Sequence, residues 1–122
     1  MNDVEIGPNG EPYADLVLRY ERKEHEAYVF GSGDVSPTSA GDLEAMLKQG
    51  MDESGVSKVV LDITDLAFMH SDGLRSIANT VRYSIPLEKE LEIRNPTVAL
   101  DKIFKVTGLA EYVTVVHIQT ED

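Results

Sequence analysis

Hydrophobic and polar positions along the chain form two kinds of periodic segment. Short apolar runs rich in β-branched and aromatic residues predict strands, and they lie at residues 16–20, 25–30, 58–63, 91–94 and 112–118. The run at 58–63 is apolar at consecutive positions, which is typical of a parallel strand covered on both faces. The charged stretch 21–24 between the first two runs predicts a hairpin turn.

Three other segments have the spacing of an amphipathic helix. Their predicted inward faces are Ala40, Leu43, Leu47 and Met51 in the first helix, Leu74, Ile77, Ala78 and Val81 in the second, and Leu100, Ile103, Phe104 and Thr107 in the third. The first helix is predicted to have Ser36 as its N-cap and Pro37 as its first residue, and to end at Gly55. The second is predicted from Asp72 to about Tyr83. The third is predicted to have Asn95 as its N-cap and Pro96 as its first residue, and to end at Gly108.

The order of these elements predicts an α/β fold in a single domain. Strands that alternate with helices indicate right-handed parallel βαβ crossovers, and the N-terminal hairpin makes the sheet mixed. We therefore expect a mixed sheet of four to five strands, packed by about three to four helices. The expected domain covers residues 16–118, with a flexible lead-in at 1–15 and a short tail at 119–122, because Gly and Pro are frequent among the polar residues at the N-terminus.

Composition narrows the classes of function. The net charge is −11, from 22 acidic and 11 basic residues, which argues against direct DNA binding because a phosphate backbone requires clustered Lys and Arg. Such acidity suits a basic protein surface as partner, and it also serves solubility. No apolar run approaches the ~20 residues that span a membrane, and the N-terminus lacks the pattern of a signal peptide. We expect a cytoplasmic protein without membrane insertion.

Catalytic and cofactor chemistry is not expected. The chain has no cysteine, which removes disulfides, thiolate metal sites and cysteine nucleophiles. His25, His70 and His117 lie far apart along the chain, and His25 and His117 are expected at the surface near strand ends. The Gly31-Ser32-Gly33 segment lacks a following helix with a nearby lysine, so we interpret it as turn residues and not as a phosphate cradle.

The junction between the third strand and the second helix carries one hydroxyl group, that of Ser71. Serine is favoured as an N-cap, and Asp72 would lie in the first helical turn, where negative charge is stabilised. Ser71 is therefore predicted to cap the second helix, and as the hydroxyl at this junction it is also the first candidate for a switch. A glycine costs helix stability, so Gly73 indicates close approach to the backbone, either by a partner or by the packed sheet.

Several motifs resemble the STAS domain family, specifically its bacterial anti-sigma-factor antagonists. They are Val60-Leu61-Asp62 followed by Phe68-Met69-His70-Ser71-Asp72-Gly73-Leu74, then Phe30-Gly31-Ser32-Gly33-Asp34-Val35, Asn95-Pro96 and Thr107-Gly108-Leu109. In that family the usual run is Asp-Ser-Ser-Gly-Leu, and the first serine is phosphorylated by a kinase that is also the anti-sigma factor. Ser71 aligns with that serine, whereas His70 replaces the acidic residue and Asp72 replaces the second serine.

The resemblance implies a binding switch in transcription regulation or a stress response. The unmodified protein would bind an anti-sigma factor with an ATP-binding serine-kinase fold and release its sigma factor, phosphorylation of Ser71 would end binding, and a serine phosphatase would reset the switch. The residues expected at the partner surface, which includes the loop at 31–36, are Gly31, Ser32, Gly33, Asp34, His70, Ser71, Asp72, Gly73 and Arg75.

Two alternatives remain at this point. A STAS subunit can act as an adaptor, for example on a lipid-transport ABC complex or in a stress-signalling assembly, without phosphorylation. An enzyme is the third possibility, but His70 is adjacent to Ser71 along the chain, and adjacent side chains at such a junction generally point apart.

Overall fold

The computed structural model describes residues 15–118 of the chain. The elements are β1 (Leu16–Lys23), β2 (Glu26–Val35), α1 (Ala40–Asp52), β3 (Lys58–Met69), α2 (Ser71–Ser84), β4 (Glu90–Arg94), α3 (Val98–Val106), a 3-10 helix (Leu109–Glu111) and β5 (Thr114–Val116). The predicted tail at 119–122 and the predicted lead-in, apart from Asp15, lie outside the described residues.

The five strands form one mixed sheet in the order β1-β2-β3-β4-β5. β1 and β2 pair antiparallel as a hairpin, with Lys23 opposite Glu26, and the remaining neighbours pair parallel. The predicted α/β fold with an N-terminal hairpin and parallel crossovers is confirmed. Because β2 and β3 are parallel neighbours, the helices that follow them begin at the same edge of the sheet.

The hydrophobic core lies between one face of the sheet and the helices. Alternate residues of β3 enter it, while Val60 between them is also fully buried, as the apolar run predicts. All four predicted residues on the inward face of α1 are buried. The largest fully buried side chains include Leu43, Leu47, Leu61, Ile63, Ile77, Ile93 and Phe104.

Two helices begin later than predicted. Residues 36–39 form a turn, in which the Ser39 hydroxyl accepts a hydrogen bond from the Ser36 N–H at 2.9 Å, so α1 starts at Ala40. Asn95 does not cap α3, because its side chain is bonded elsewhere: it donates to the Thr64 hydroxyl at 2.8 Å and accepts from the Ile118 N–H at 2.7 Å. Thr97 caps α3 instead, accepting from the Leu100 N–H at 3.2 Å.

Strand lengths and one helix face also differ from prediction. β3 continues six residues beyond the predicted end at Ile63, and β2 includes the stretch 31–35 that was predicted as a loop. Register shifts between these two strands displace the simple alternation that marks a strand, which explains the short prediction. β5 is shorter than predicted because Tyr112 and Val113 bond back to the Leu109 carbonyl. On α3, Leu100 and Phe104 are buried, but Ile103 and Thr107 are exposed.

Candidate partner-binding site

The ends of β2 and β3 meet where α2 begins. Val35 is paired with Met69, and the His70 N–H donates to the Val35 carbonyl at 2.8 Å. His70 then turns the chain, and its carbonyl accepts the N–H groups of Gly73 and Leu74 as the first turn of α2 forms. This connection places Ser71 at the edge of the sheet, beside the end of β2 and the turn before α1.

Ser71 is the first residue of α2 and not its N-cap. His70 occupies the N-cap position with an extended backbone, and its side chain makes no capping bond. Ser71 is exposed, and within residues 15–118 its hydroxyl has no hydrogen-bond partner. The prediction that Ser71 caps the helix is therefore wrong, and its hydroxyl makes no stabilising hydrogen bond among the described residues.

Asp72 and Arg75 form the charged part of the site. A guanidinium nitrogen of Arg75 lies 3.8 Å from an Asp72 carboxylate oxygen, one helical turn away. The Arg75 side chain is 74% exposed and that of Asp72 is 36% exposed, so the pair is held loosely at the surface.

Gly73 is required by packing within the domain. It is buried, and a Cβ atom there would lie 2.5 Å from Met69 Cγ and 2.8 Å from Val35 Cγ1. These separations are too short for carbon contacts. Of the two explanations considered for this glycine, the packed sheet is therefore correct, and Gly73 positions Ser71 from below.

His70 and Phe68 form an aromatic pair next to Ser71. Their ring centroids lie 4.8 Å apart in an edge-to-face arrangement, and Phe68 is 54% exposed. Phe68 also lines a cavity of about 120 Å³ together with Ile103 of α3. Phe68 was not predicted as a site residue. Its exposure could have been suspected from the break in alternation after Ile63.

The glycine-rich segment of β2 divides into two parts. Asp34 is paired with Phe68, so it lies close to the Ser71 junction. Gly31 and Ser32 lie further back and contribute to a separate cavity of about 190 Å³, lined also by Arg19, Phe30, Asp62 and Asp65. Gly33 has a φ of +94°, and a Cβ there would lie 2.3 Å from the Asp15 carbonyl oxygen, so its role is structural.

The structure thus brings Asp34, His70, Ser71, Asp72 and Arg75 to one edge. Gly31 and Gly73 are buried and so are not exposed to a partner, and Ser32 lines the neighbouring cavity. His25 and His117 are exposed near strand ends, as predicted. Within residues 15–118, no group of three or more His, Asp or Glu side chains is arranged to hold a metal ion.

A second hydroxyl cluster lies at the same edge and was missed. Ser36 directly follows Val35, and its hydroxyl lies 2.9 Å from that of Thr38 and 3.2 Å from that of Ser39. Unlike the Ser71 hydroxyl, those of Thr38 and Ser39 are each hydrogen-bonded to the Ser36 hydroxyl. Ser36 was predicted as a helix cap, and that prediction did not include this turn.

A largely buried ionic group lies outside this edge. The Glu92 carboxylate accepts from Lys58 at 2.8 Å and from Arg94, and only 6% of its side chain is exposed. Burial raises the pKa of Glu92, but the hydrogen bonds from Lys58 and Arg94 outweigh burial and hold the pKa below its ordinary value. This network stabilises the sheet and takes no part in the candidate site.

Solved structures of similar fold include SpoIIAA, an anti-sigma factor antagonist. The phosphorylated form of the Bacillus protein is 17% identical over 86% of this chain and 93% of its own, with a TM-score of 0.68. An anti-sigma factor antagonist from Mycobacterium paratuberculosis is 19% identical over 92% of this chain and 90% of its own, with a TM-score of 0.69.

A transporter also contains this fold. The murine anion transporter Solute Carrier 26 family member A9 is 15% identical over 75% of this chain and 15% of its own, with a TM-score of 0.62. At these identities the likenesses concern the fold. Within residues 15–118, no helix combines the length and apolar character needed to cross a membrane.

Sequence comparison decides the family. No curated protein matches the chain significantly. Residues 19–121, which are most of the 122-residue chain, match the model of the STAS domain. The five-stranded mixed sheet and the junction at Ser71 agree with that match, and the chain belongs to the STAS domain family.

Proposed function

We propose that this protein is an anti-sigma-factor antagonist switched off by phosphorylation of Ser71. In its unmodified form it binds an anti-sigma factor with an ATP-binding serine-kinase fold, and so releases the sigma factor. The partner transfers the γ-phosphoryl group of ATP to the Ser71 oxygen, with release of ADP and the hydroxyl proton. A phosphatase uses water to remove the group as inorganic phosphate and restores the hydroxyl. The switch operates in the cytoplasm.

The state of the Ser71 hydroxyl carries this proposal. It is exposed and without a hydrogen-bond partner among the described residues, whereas Thr97 at the corresponding end of α3 is engaged in capping. A hydroxyl that stabilises a helix would lose that bond on modification. Ser71 has no such bond to lose, so its phosphorylation leaves the fold intact.

Local electrostatics explain how a phosphate could act on binding alone. A phosphoserine adds about −1.5 to −2 charges at neutral pH. At the first position of α2 this charge lies at the positive end of the helix dipole, which stabilises it. The free-energy cost of phosphorylation therefore arises at an interface that must desolvate the phosphate beside Asp72. A loss of about 2.7 kcal/mol lowers affinity about a hundredfold.

The structural relatives support the same function. SpoIIAA is an anti-sigma factor antagonist whose phosphorylated form is itself a structural neighbour of this chain. The chain departs from the Asp-Ser-Ser-Gly-Leu run that is usual in the family by having His70 before the serine and Asp72 after it. We propose that these two residues adapt the site to its own kinase.

The test compares wild-type protein with Ser71→Asp and Ser71→Ala in pull-downs from the source organism, with mass spectrometry of bound proteins. Ser57→Asp is the control for an added charge, because Ser57 is exposed and precedes β3 at the opposite edge of the sheet, where its hydroxyl donates a long bond of 3.4 Å to the His25 carbonyl. We expect wild type, Ser71→Ala and Ser57→Asp to capture an ATP-binding anti-sigma factor, and Ser71→Asp to lose it. The captured kinase should phosphorylate wild type but not Ser71→Ala. Equal capture by Ser71→Asp would contradict the switch.

An adaptor is the second candidate, favoured by the STAS-like fold within a transporter chain. In that case Ser71 contacts a partner and is never phosphorylated. Wild type and Ser71→Asp would then capture the same transport or scaffold proteins, and protein isolated from cells would carry no phosphate at Ser71.

The proposal assigns no catalysis to this chain, since the kinase and phosphatase activities belong to its partners. Turnover of any substrate that is abolished by Ser71→Ala or His70→Ala would overturn this part. For the same reason, we propose no cofactor for this chain.

A further inference from the structure

Arg75 lies within reach of two positions in the first turn of α2. It is three residues after Asp72 and four after Ser71, and residues at both spacings are neighbours on a helix surface. Its guanidinium is 3.8 Å from the Asp72 carboxylate, beyond the length of a direct hydrogen bond, and its side chain is 74% exposed. Arg75 is therefore free to change partners without disturbing the core.

Among the described residues of this edge, no other Lys or Arg competes with Arg75 for a phosphate on Ser71. Arg75 is the only Lys or Arg in the first two turns of α2, and the next cation along the helix is Arg82, which donates to Asn79 at 2.8 Å. The turn that follows β2 and the segment before α3 contain no Lys or Arg. Besides Asp72, the other ionisable side chains that the structure describes at this edge are those of Asp34 and His70.

We propose that Arg75 binds the phosphate group of phosphorylated Ser71, exchanging its loose contact with Asp72 for an ion pair with the phosphate. A guanidinium binds a phosphate through two parallel N–H···O bonds, and it prefers a doubly charged phosphate to a carboxylate at the same distance. The exchange requires only rotation of the exposed Arg75 side chain, because Ser71 and Arg75 share one face of the helix.

This inference rests on the proposed modification of Ser71 and adds a second effect to it. In the unmodified form Arg75 offers a guanidinium to an acidic group of the partner. After phosphorylation the guanidinium is held by the phosphate, while Asp72 is left without its cation. The edge therefore gains negative charge, and the Arg75 guanidinium becomes unavailable to a partner in the same step.

The experiment installs phosphoserine at position 71 during synthesis of the full chain, so that no kinase is needed. Phosphorus NMR then follows the titration of the phosphate group against pH in wild type, Arg75→Gln, Arg75→Lys and the control Arg82→Gln. All four proteins retain the contribution of the helix N-terminus. They differ in the cation four residues away.

We expect the acid dissociation constant of the phosphate to be about twofold larger in wild type and Arg82→Gln than in Arg75→Gln, from the strength of an exposed i,i+4 ion pair. Arg75→Lys should restore most of the difference, and added salt should reduce it. Backbone amide spectra of the four proteins should agree outside α2, which confirms an intact fold.

The inference is wrong if Arg75→Gln titrates like wild type, or if Arg82→Gln changes the titration as much as Arg75→Gln. Either result leaves the proposed function standing, because partner capture by wild type and its loss in Ser71→Asp are measured separately. Conversely, failure of that capture would remove the biological role of the pair and leave its titration unchanged.

Discussion

Replacing Gly73 by alanine tests how the site is held in place. An alanine Cβ would lie 2.5 Å from Met69 Cγ and 2.8 Å from Val35 Cγ1. Val35 is β-branched and only 1% exposed, so it has little room to move. Overpacking of this kind costs about 1–3 kcal/mol, whereas alanine gains about 1 kcal/mol over glycine in a helix. The net expectation is a loss of about 1 kcal/mol.

Urea unfolding measures this loss. Gly73→Ala should lower the midpoint with an unchanged slope, and should lower the melting temperature by roughly 4 °C. Gly41→Ala is the matched control, since Gly41 lies in α1 with no atom within 4 Å of an added Cβ. The control should be stabilised by up to about 1 kcal/mol, because only the helix preference acts there.

A double substitution separates steric strain from other causes. Met69→Ala removes the atom closest to the added Cβ, so Gly73→Ala should cost about 0.5–1 kcal/mol less in that background than in wild type. If Gly73→Ala is as stable as Gly41→Ala, or if the two costs simply add, the packing explanation of Gly73 is refuted.

Two further substitutions test the cap assignment and the buried network. Ser71→Ala should change stability by less than about 0.5 kcal/mol, whereas Thr97→Ala should cost about 1 kcal/mol by thermal unfolding; equal losses would restore Ser71 as a cap. Glu92→Gln should cost about 1–2 kcal/mol at neutral pH, because Lys58 and Arg94 lose a charged acceptor. Since the folded-state pKa of Glu92 is lowered, its stabilisation is complete above the ordinary glutamate pKa and is lost as pH falls through the folded value. The difference between wild type and Glu92→Gln should therefore shrink in acid, and an unchanged difference would contradict this.

Local patterns in the sequence predicted the fold well, and long-range contacts explain the failures. The inward face of α1 follows directly from apolar spacing, since each predicted residue is buried. The predicted start of α3 was wrong because Asn95 has a left-handed backbone, with a φ of 58°, and its side chain is hydrogen-bonded to Thr64 and Ile118. Neither partner is near Asn95 in the sequence, so no local pattern indicates that the cap has moved to Thr97.

A shift of one residue had the largest effect on the interpretation of the site. The sequence placed Ser71 at the N-cap, whereas the structure places His70 there. Histidine is not among the residues favoured at this position, so propensity pointed to its neighbour. The backbone bond from His70 to Val35 determines the boundary, and it depends on the alignment of two strands that are distant in sequence.

Gly73 and Ser71 divide the requirements of the site between two neighbouring positions. The absence of a side chain at Gly73 lets the first turn of α2 rest on Met69 and Val35, which ties the height of that turn to the ends of β2 and β3. Because packing beneath Gly73 sets the position of the turn, the Ser71 hydroxyl is not needed to stabilise it. A side chain relieved of a structural role can gain and lose a doubly charged group while the domain stays folded. Any change that loosens the contact below Gly73 should therefore disturb recognition at Ser71 without altering its chemistry.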